Sequence, residues 1–232
     1  MRHPLNLQPI PQLPAHLSRT LAACAALAAA LALSGCASTK SPPTTQFDFG
    51  PAIPAAQAAQ AATPGALGTV VVGDVTGSNA LDNERMLYRL SYADALQART
   101  YANSRWTTSP LQMMTQRLKT RLGQAGARVL SENDIAAGVP ILRVDVDDFI
   151  HDFSSATQSE GQVALRASVF RGRTLVDQKT FVRRTPAATP DAAGGARALA
   201  ASTDAIAADV TAWLGALNLQ PQPQPQPQPQ SR

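Results

Sequence analysis

Three spacings of apolar residues divide this chain. From Leu21 to Leu33 the residues are continuously Leu and Ala, broken only by Cys24. Between Leu142 and Phe181 apolar and polar residues alternate, the period of a strand with one face buried. In two other stretches apolar residues recur every three or four positions, as one face of a helix requires. The first of these holds Leu111, Met114, Leu118 and Leu122; the second holds Leu199, Thr203, Ile206, Val210, Trp213 and Leu217.

Local punctuation turns these patterns into elements. Thr69–Val75 is β-branched and closed by Gly77-Ser78-Asn79, so it reads as a buried strand, and Met86–Arg89 reads as a short one after Asp82-Asn83. Asp94–Tyr101 alternates weakly and is also read as a strand. Ser109-Pro110 predicts a helix start, since Ser caps free N–H groups and Pro has the right φ, with Arg117, Lys119 and Arg121 away from the apolar stripe. Gly123 and Gly126 are expected to end that helix. Ala127–Leu130 is a further short strand.

Ile141–Phe153 is expected to be a long strand, with Leu142, Val144 and Val146 inward and Arg143, Asp145 and Asp147 outward. After Asp148 the apolar set moves by one residue to Phe149 and Phe153, as a β-bulge would produce. Gln162–Phe170 and Leu175–Arg183, joined at Arg171-Gly172-Arg173, predict a hairpin with Phe181 inward. Pro190-Asp191 opens the last helix. The fold class expected for residues 67–219 is therefore α+β: a mainly antiparallel β-sheet with two amphipathic α-helices packed on one face.

Composition sets both ends apart. Residues 37–66 are rich in Ala, Pro, Gln and Thr, with Pro42-Pro43, Pro51, Pro54 and Pro64 interrupting any long helix, so residues 36–66 read as a flexible linker. Residues 220–232 form a low-complexity tail in which Gln and Pro alternate from Gln220 to Gln230, a pattern for extended polyproline II: a spacer or solubilising tail, or a peptide for a Pro-recognising groove.

The run from Leu21 to Leu33 is too short to span a bilayer, which needs about 20 apolar residues, and it follows a stretch holding Arg2 and Arg19 but no acid. That is signal-peptide architecture. The next residues, Leu33-Ser34-Gly35-Cys36, resemble the lipobox of bacterial lipoproteins. Small Ser34 and Gly35 admit a peptidase, cleavage falls between Gly35 and Cys36, and the Cys36 thiol and freed amine receive acyl chains such as palmitate. The sequence thus predicts a signal peptide over 1–35 and an anchor at Cys36. Two or more acyl chains would hold the chain stably to a phospholipid membrane. Ala37 and Ser38 follow where Asp commonly retains lipoproteins at the inner membrane, which points to the outer membrane with the domain facing the periplasm.

Charge then narrows the partners. Cleavage before Cys36 removes two arginines and no acid, so the net charge of +4 falls to +2. No Lys/Arg cluster exceeds Arg183-Arg184, so no nucleic-acid partner is expected. Asp145, Asp147, Asp148 and Asp152 with His151 are the one grouping resembling a metal or acid–base set. With alternate acids on a solvent face and one histidine left after cleavage, neither a metal nor a cofactor is expected. Hydroxyls such as Ser154, Ser155 and Ser159 lack a G-x-S-x-G context, and Gly194-Gly195 is no phosphate loop, so an enzyme is not expected.

The segments Leu81-Asp82, Met86-Leu87-Tyr88-Arg89, Tyr101-Ala102-Asn103-Ser104-Arg105-Trp106 and Pro110-Leu111-Gln112-Met113-Met114 resemble the ABC-type transport auxiliary lipoproteins of the PqiC-like group. Leu142-Arg143-Val144-Asp145-Val146-Asp147-Asp148-Phe149 is similar to that family's L-x-V-x-V-x-x-F strand, and the hairpin and a last helix ending Ala212-Trp213-Leu214 fit its order. The resemblance implies a non-enzymatic subunit that accompanies an MCE-domain protein and an ABC permease and ATPase in moving phospholipid or other hydrophobic solutes between membranes. It would dock the MCE assembly at the outer membrane, with a homo-oligomeric ring as one arrangement and residues 37–66 as a tether reaching roughly 100 Å. Tyr88, Arg89, Arg105 and Trp106 carry the family pattern and are candidates for either fold maintenance or partner contact. The long linker and Gln-Pro tail depart from the family, and the tail also suits a cell-envelope scaffold binding peptidoglycan or an outer-membrane protein.

Overall fold

The computed structural model describes residues 43–52, 67–134, 138–217 and 219. The signal-peptide and lipobox expectations, with Gly35 and Cys36, lie outside these residues, as does the Gln-Pro tail. Strands β1 (Thr45–Phe47), β2 (Thr69–Val72), β3 (Thr76–Gly77), β4 (Arg85–Leu90) and β5 (Ala98–Trp106) precede helix α1 (Pro110–Gln124). Strand β6 (Arg128–Ser131), a short 3-10 turn, and β7 (Pro140–Phe153), β8 (Ser159–Arg171) and β9 (Thr174–Pro186) follow, and α2 (Ala192–Ala216) closes the domain.

Strand β7 organises the sheet. Along one edge it pairs antiparallel with β8, and β8 with β9, so the predicted hairpin is present with Gly172 at φ 61 in its turn. Along the other edge it pairs in succession with β2, β3 and β4, all parallel. β6 adds parallel to β2, β5 antiparallel to β4, and β1 parallel to β5. The α+β class stands, but the expectation of a mainly antiparallel sheet is corrected: five of the eight pairings are parallel and the sheet is mixed. Hairpins are local and show in sequence; parallel partners join through distant crossovers and do not.

The bulge in β7 lies between Val146 and Asp148. It keeps Val144 and Val146 before it and Phe149 and Phe153 after it all buried. Both helices bury their stripes in one core with this face. Met114, Leu118 and Leu122 of α1 meet Leu199, Ile206 and Val210 of α2 there. Ser109 caps α1 by accepting from the Gln112 N–H at 3.3 Å, and Asp191 caps α2 by accepting from Gly194 at 2.7 Å.

Four local expectations are corrected. The strand read over 94–101 begins at Ala98 and runs on to Trp106, because residues 91–97 form a closed turn. Gly123 lies inside α1, and only Gly126, at φ 90, follows its end. Arg117 is buried: its guanidinium donates to the Phe49 carbonyl and to that of Gly50 at 2.7 Å, and lies 3.4 Å from Asp204. Residues 43–52, read as linker, lie against the domain: β1 pairs with β5, and Gln124 donates to the Ala52 carbonyl at 2.8 Å.

Candidate partner-contact site

The four family-pattern residues lie on adjacent strands, β4 and β5, with alternation sending them to different faces. Trp106 turns inward and is 1 % exposed, packing edge-on against Phe49 at 5.8 Å and near Phe149 at 5.7 Å. The indole therefore bridges the 43–52 segment, β5 and β7, a fold role. Arg105, its neighbour, turns outward and is exposed. Across the ladder it stands opposite Arg85, also exposed, and neither forms an ion pair among the described residues. Two like charges directly opposite destabilise a sheet unless an anion sits between them, so this pair is suited to an acidic group on a partner.

Tyr88 is half-buried, its ring 4.6 Å from that of Tyr101 and 6.1 Å from Phe153. Arg89, on the opposite face, lies 3.6 Å from Asp148 and is partly exposed. Beside Tyr88 is a part-buried polar pair the sequence did not single out: the Tyr101 hydroxyl is 2.8 Å from Nδ1 of His151. His151 is 0 % exposed, and its Nε2 has no hydrogen-bond partner. Burial lowers its pKa to about 4, against the pull of the Asp191 and Asp152 carboxylates. Burial, with Tyr88 and Asp191 nearby, raises the Tyr101 pKa, so the phenol stays protonated.

The acidic grouping does not converge. Asp145 accepts from Thr76 at 2.9 Å, Asp148 from Gln162 at 2.8 Å, and Asp152 from Ser91, while Asp147 is exposed. Among the described residues no group of three or more His, Cys, Asp or Glu could hold a metal ion. A groove of about 840 Å³ lies between residues 48–52, 74–82 and α1. Its lining includes the apolar Phe49, Val75 and Leu111 and the acidic Asp48, Asp74 and Asp82.

A family model described as the ABC-type transport auxiliary lipoprotein component matches residues 51–231. The chain belongs to this family. The auxiliary lipoprotein is thereby associated with an ABC-type transport system, and its family is a membrane-anchored envelope group and an auxiliary component rather than a known enzyme class. No helix among the described residues is long and apolar enough to cross a membrane.

Solved structures share the fold of the auxiliary lipoprotein. A Xanthomonas campestris protein of the family model DUF330 superposes with a TM-score of 0.58 at 17% identity, covering 75% of this chain and 94% of that one. An uncharacterized protein superposes with a TM-score of 0.59 at 13% identity, covering 74% and 99%. No curated protein matches the auxiliary lipoprotein.

Sequence reasoning missed Arg85 and the Tyr101–His151 pair. Arg85 could have been found from the register of a β4–β5 hairpin. His151 carried a signal too, since it sits two residues from Phe149 and Phe153 at the period of the buried face.

Proposed function

We propose that this chain is a lipid-anchored periplasmic lipoprotein, acylated at Cys36, that serves an MCE/ABC-type intermembrane lipid transport system by docking the MCE assembly at the outer membrane. The observation that carries the reading is the family match over residues 51–231, joined to the lipobox Leu33-Ser34-Gly35-Cys36. Contact with the MCE protein falls to the outer face of β4 and β5, where Arg85 and Arg105 offer two unpaired guanidiniums to an acidic partner.

The docked strand β1 changes the geometry of anchoring. A fully extended chain from Cys36 to Thr45 spans at most about 30 Å at roughly 3.3 Å per residue, against roughly 100 Å were all of residues 37–66 free. The domain is therefore held close to the membrane that carries its lipid.

Crosslinking the tagged, acylated chain in intact cells, with Cys36→Ala as the unanchored control, tests the proposal. Recovery of an MCE-domain protein that depends on Cys36 is the expected result. Recovery of peptidoglycan-associated or outer-membrane assembly proteins, with no MCE protein, would overturn it in favour of an envelope scaffold.

A further inference from the structure

The loop between β4 and β5, residues 91–97, displays apolar side chains at its tip. Leu96 is 96 % exposed and Tyr92 52 %. Exposed side chains of this kind usually sit on mobile segments, but here the backbone is closed on itself. Ala93 and Asp94 donate to the Leu90 carbonyl at 2.8 and 2.9 Å, Gln97 to that of Asp94 at 3.4 Å, and Tyr92 to that of Phe153 at 3.3 Å. The Leu96 N–H donates to the Asp94 carboxylate at 2.9 Å, and the Ser91 hydroxyl to Asp152. Five of the seven backbone N–H groups thus have acceptors within the domain, which lowers the cost of bringing the segment against an apolar medium.

The direction of β1 shows from which side the chain arrives. Thr45 of β1 pairs with Ser104, Phe47 pairs with Trp106, and the two strands are parallel. β5 starts at Ala98, directly after the loop, so the chain enters β1 from the loop's side. Ala98 to Ser104 is about 20 Å of strand, and Cys36 to Thr45 is up to about 30 Å of chain. The length of chain between Cys36 and β1 therefore exceeds the distance from Ser104 back to the loop.

We propose that residues 91–97 insert their tip into the same bilayer that holds the acylated Cys36, an inference resting on the anchoring reading above. Leu96 enters the acyl region, Tyr92 lies at the headgroup level where amphipathic rings concentrate, and Arg99, held by Gln97 at 2.8 Å, faces the headgroup phosphates from the base of the loop. Such a small insertion is weak alone, and the anchor makes it effective by raising its local concentration. It orients the domain, directing the opposite end of the sheet into the periplasm.

The mature chain carries no cysteine but Cys36, so Leu96→Cys and, on the far edge strand, Val182→Cys can each be labelled with an environment-sensitive fluorophore. The acylated protein, its lipid verified by mass spectrometry, is reconstituted in phosphatidylethanolamine/phosphatidylglycerol vesicles containing a lipid-borne quencher. Quenching at position 96 and not at 182 is expected, falling about tenfold when Cys36→Ala removes the anchor and its effective concentration. An acylated chain whose position 96 stays as exposed as 182 sinks the loop proposal alone. So does a position 96 that is shielded only by a protein partner. A chain that carries no lipid sinks the anchored reading together with the loop.

Discussion

The Tyr101 hydroxyl meets Nδ1 of His151 at 2.8 Å inside the domain, joining β5 to the central strand β7 beneath the N-terminal turn of α2. His151 is lowered from 6.5 to about 4, first by burial, and the positive end of the α2 dipole acts in the same sense. The unfolded chain therefore binds a proton below pH 6.5 that the native one takes up only near pH 4. The stability from keeping His151 neutral is fully present above pH 6.5 and is lost as pH falls through the window to 4. The loss is at most about 3 kcal/mol. Denaturant melts of wild type and His151→Gln across pH 4–7 should show a steeper decline in the wild type; parallel curves would contradict this.

Glycine positions in α2 and β8 are set by close approach. A Cβ on Gly195 would lie 2.2 Å from His151 Nδ1, and one on Gly161 would lie 2.4 Å from the Leu199 backbone nitrogen. Gly195→Ala and Gly161→Ala should each lower stability by about 3 kcal/mol or more, since overpacking against a ring or backbone cannot relax cheaply. Gly123→Ala in α1 meets nothing within 4 Å and should raise stability by about 1 kcal/mol. Thermal melts of the three variants give the comparison.

Arg117 ties the N-terminal segment to both helices, donating to the carbonyls of Phe49 and Gly50 while facing Asp204 and lying over the Phe49 ring. Arg117→Met should cost about 2–4 kcal/mol by stranding these acceptors and should expose residues 43–52 to protease. Arg121 also holds Asp204, at 2.9 Å. Asp204→Asn combined with Arg117→Met should therefore cost more than Arg117→Met alone, and an equal cost would show that the pair acts as one unit.

These ties explain what could be read from sequence. The β8–β9 hairpin and both helices announce themselves because their periods run for many residues and their partners are neighbours in the chain. β1 does not: Thr45-Gln46-Phe47 has no pattern of its own, and is held by β5 and Arg117 from far along the chain. Arg117 looked solvated because charge usually is, and the carbonyls of Phe49 and Gly50 together with Asp204 make its burial favourable. The parallel side of β7 was equally hidden, since three short strands within residues 69–90 share one edge of a strand far along the chain. At the candidate site the residues were legible from the family pattern and their division between faces was not, because it depends on the register of β4 against β5.

That division separates buried Trp106 from exposed Arg105 among the family-pattern residues. Trp106→Ala removes a fully buried indole from between Phe49 and Phe149 and should cost about 3–5 kcal/mol. Arg105→Ala removes an exposed guanidinium facing Arg85 and should leave stability within about 0.5 kcal/mol, with any change a gain from relieved repulsion. Arg105→Glu places opposite charges across the ladder, so it should also fold normally while repelling an acidic partner. The decisive measurement pairs a melting curve with co-purification of the transport partner from cells. Unchanged melting with lost partner assigns Arg105 to contact, whereas retained partner moves the docking surface away from the outer face of β4 and β5.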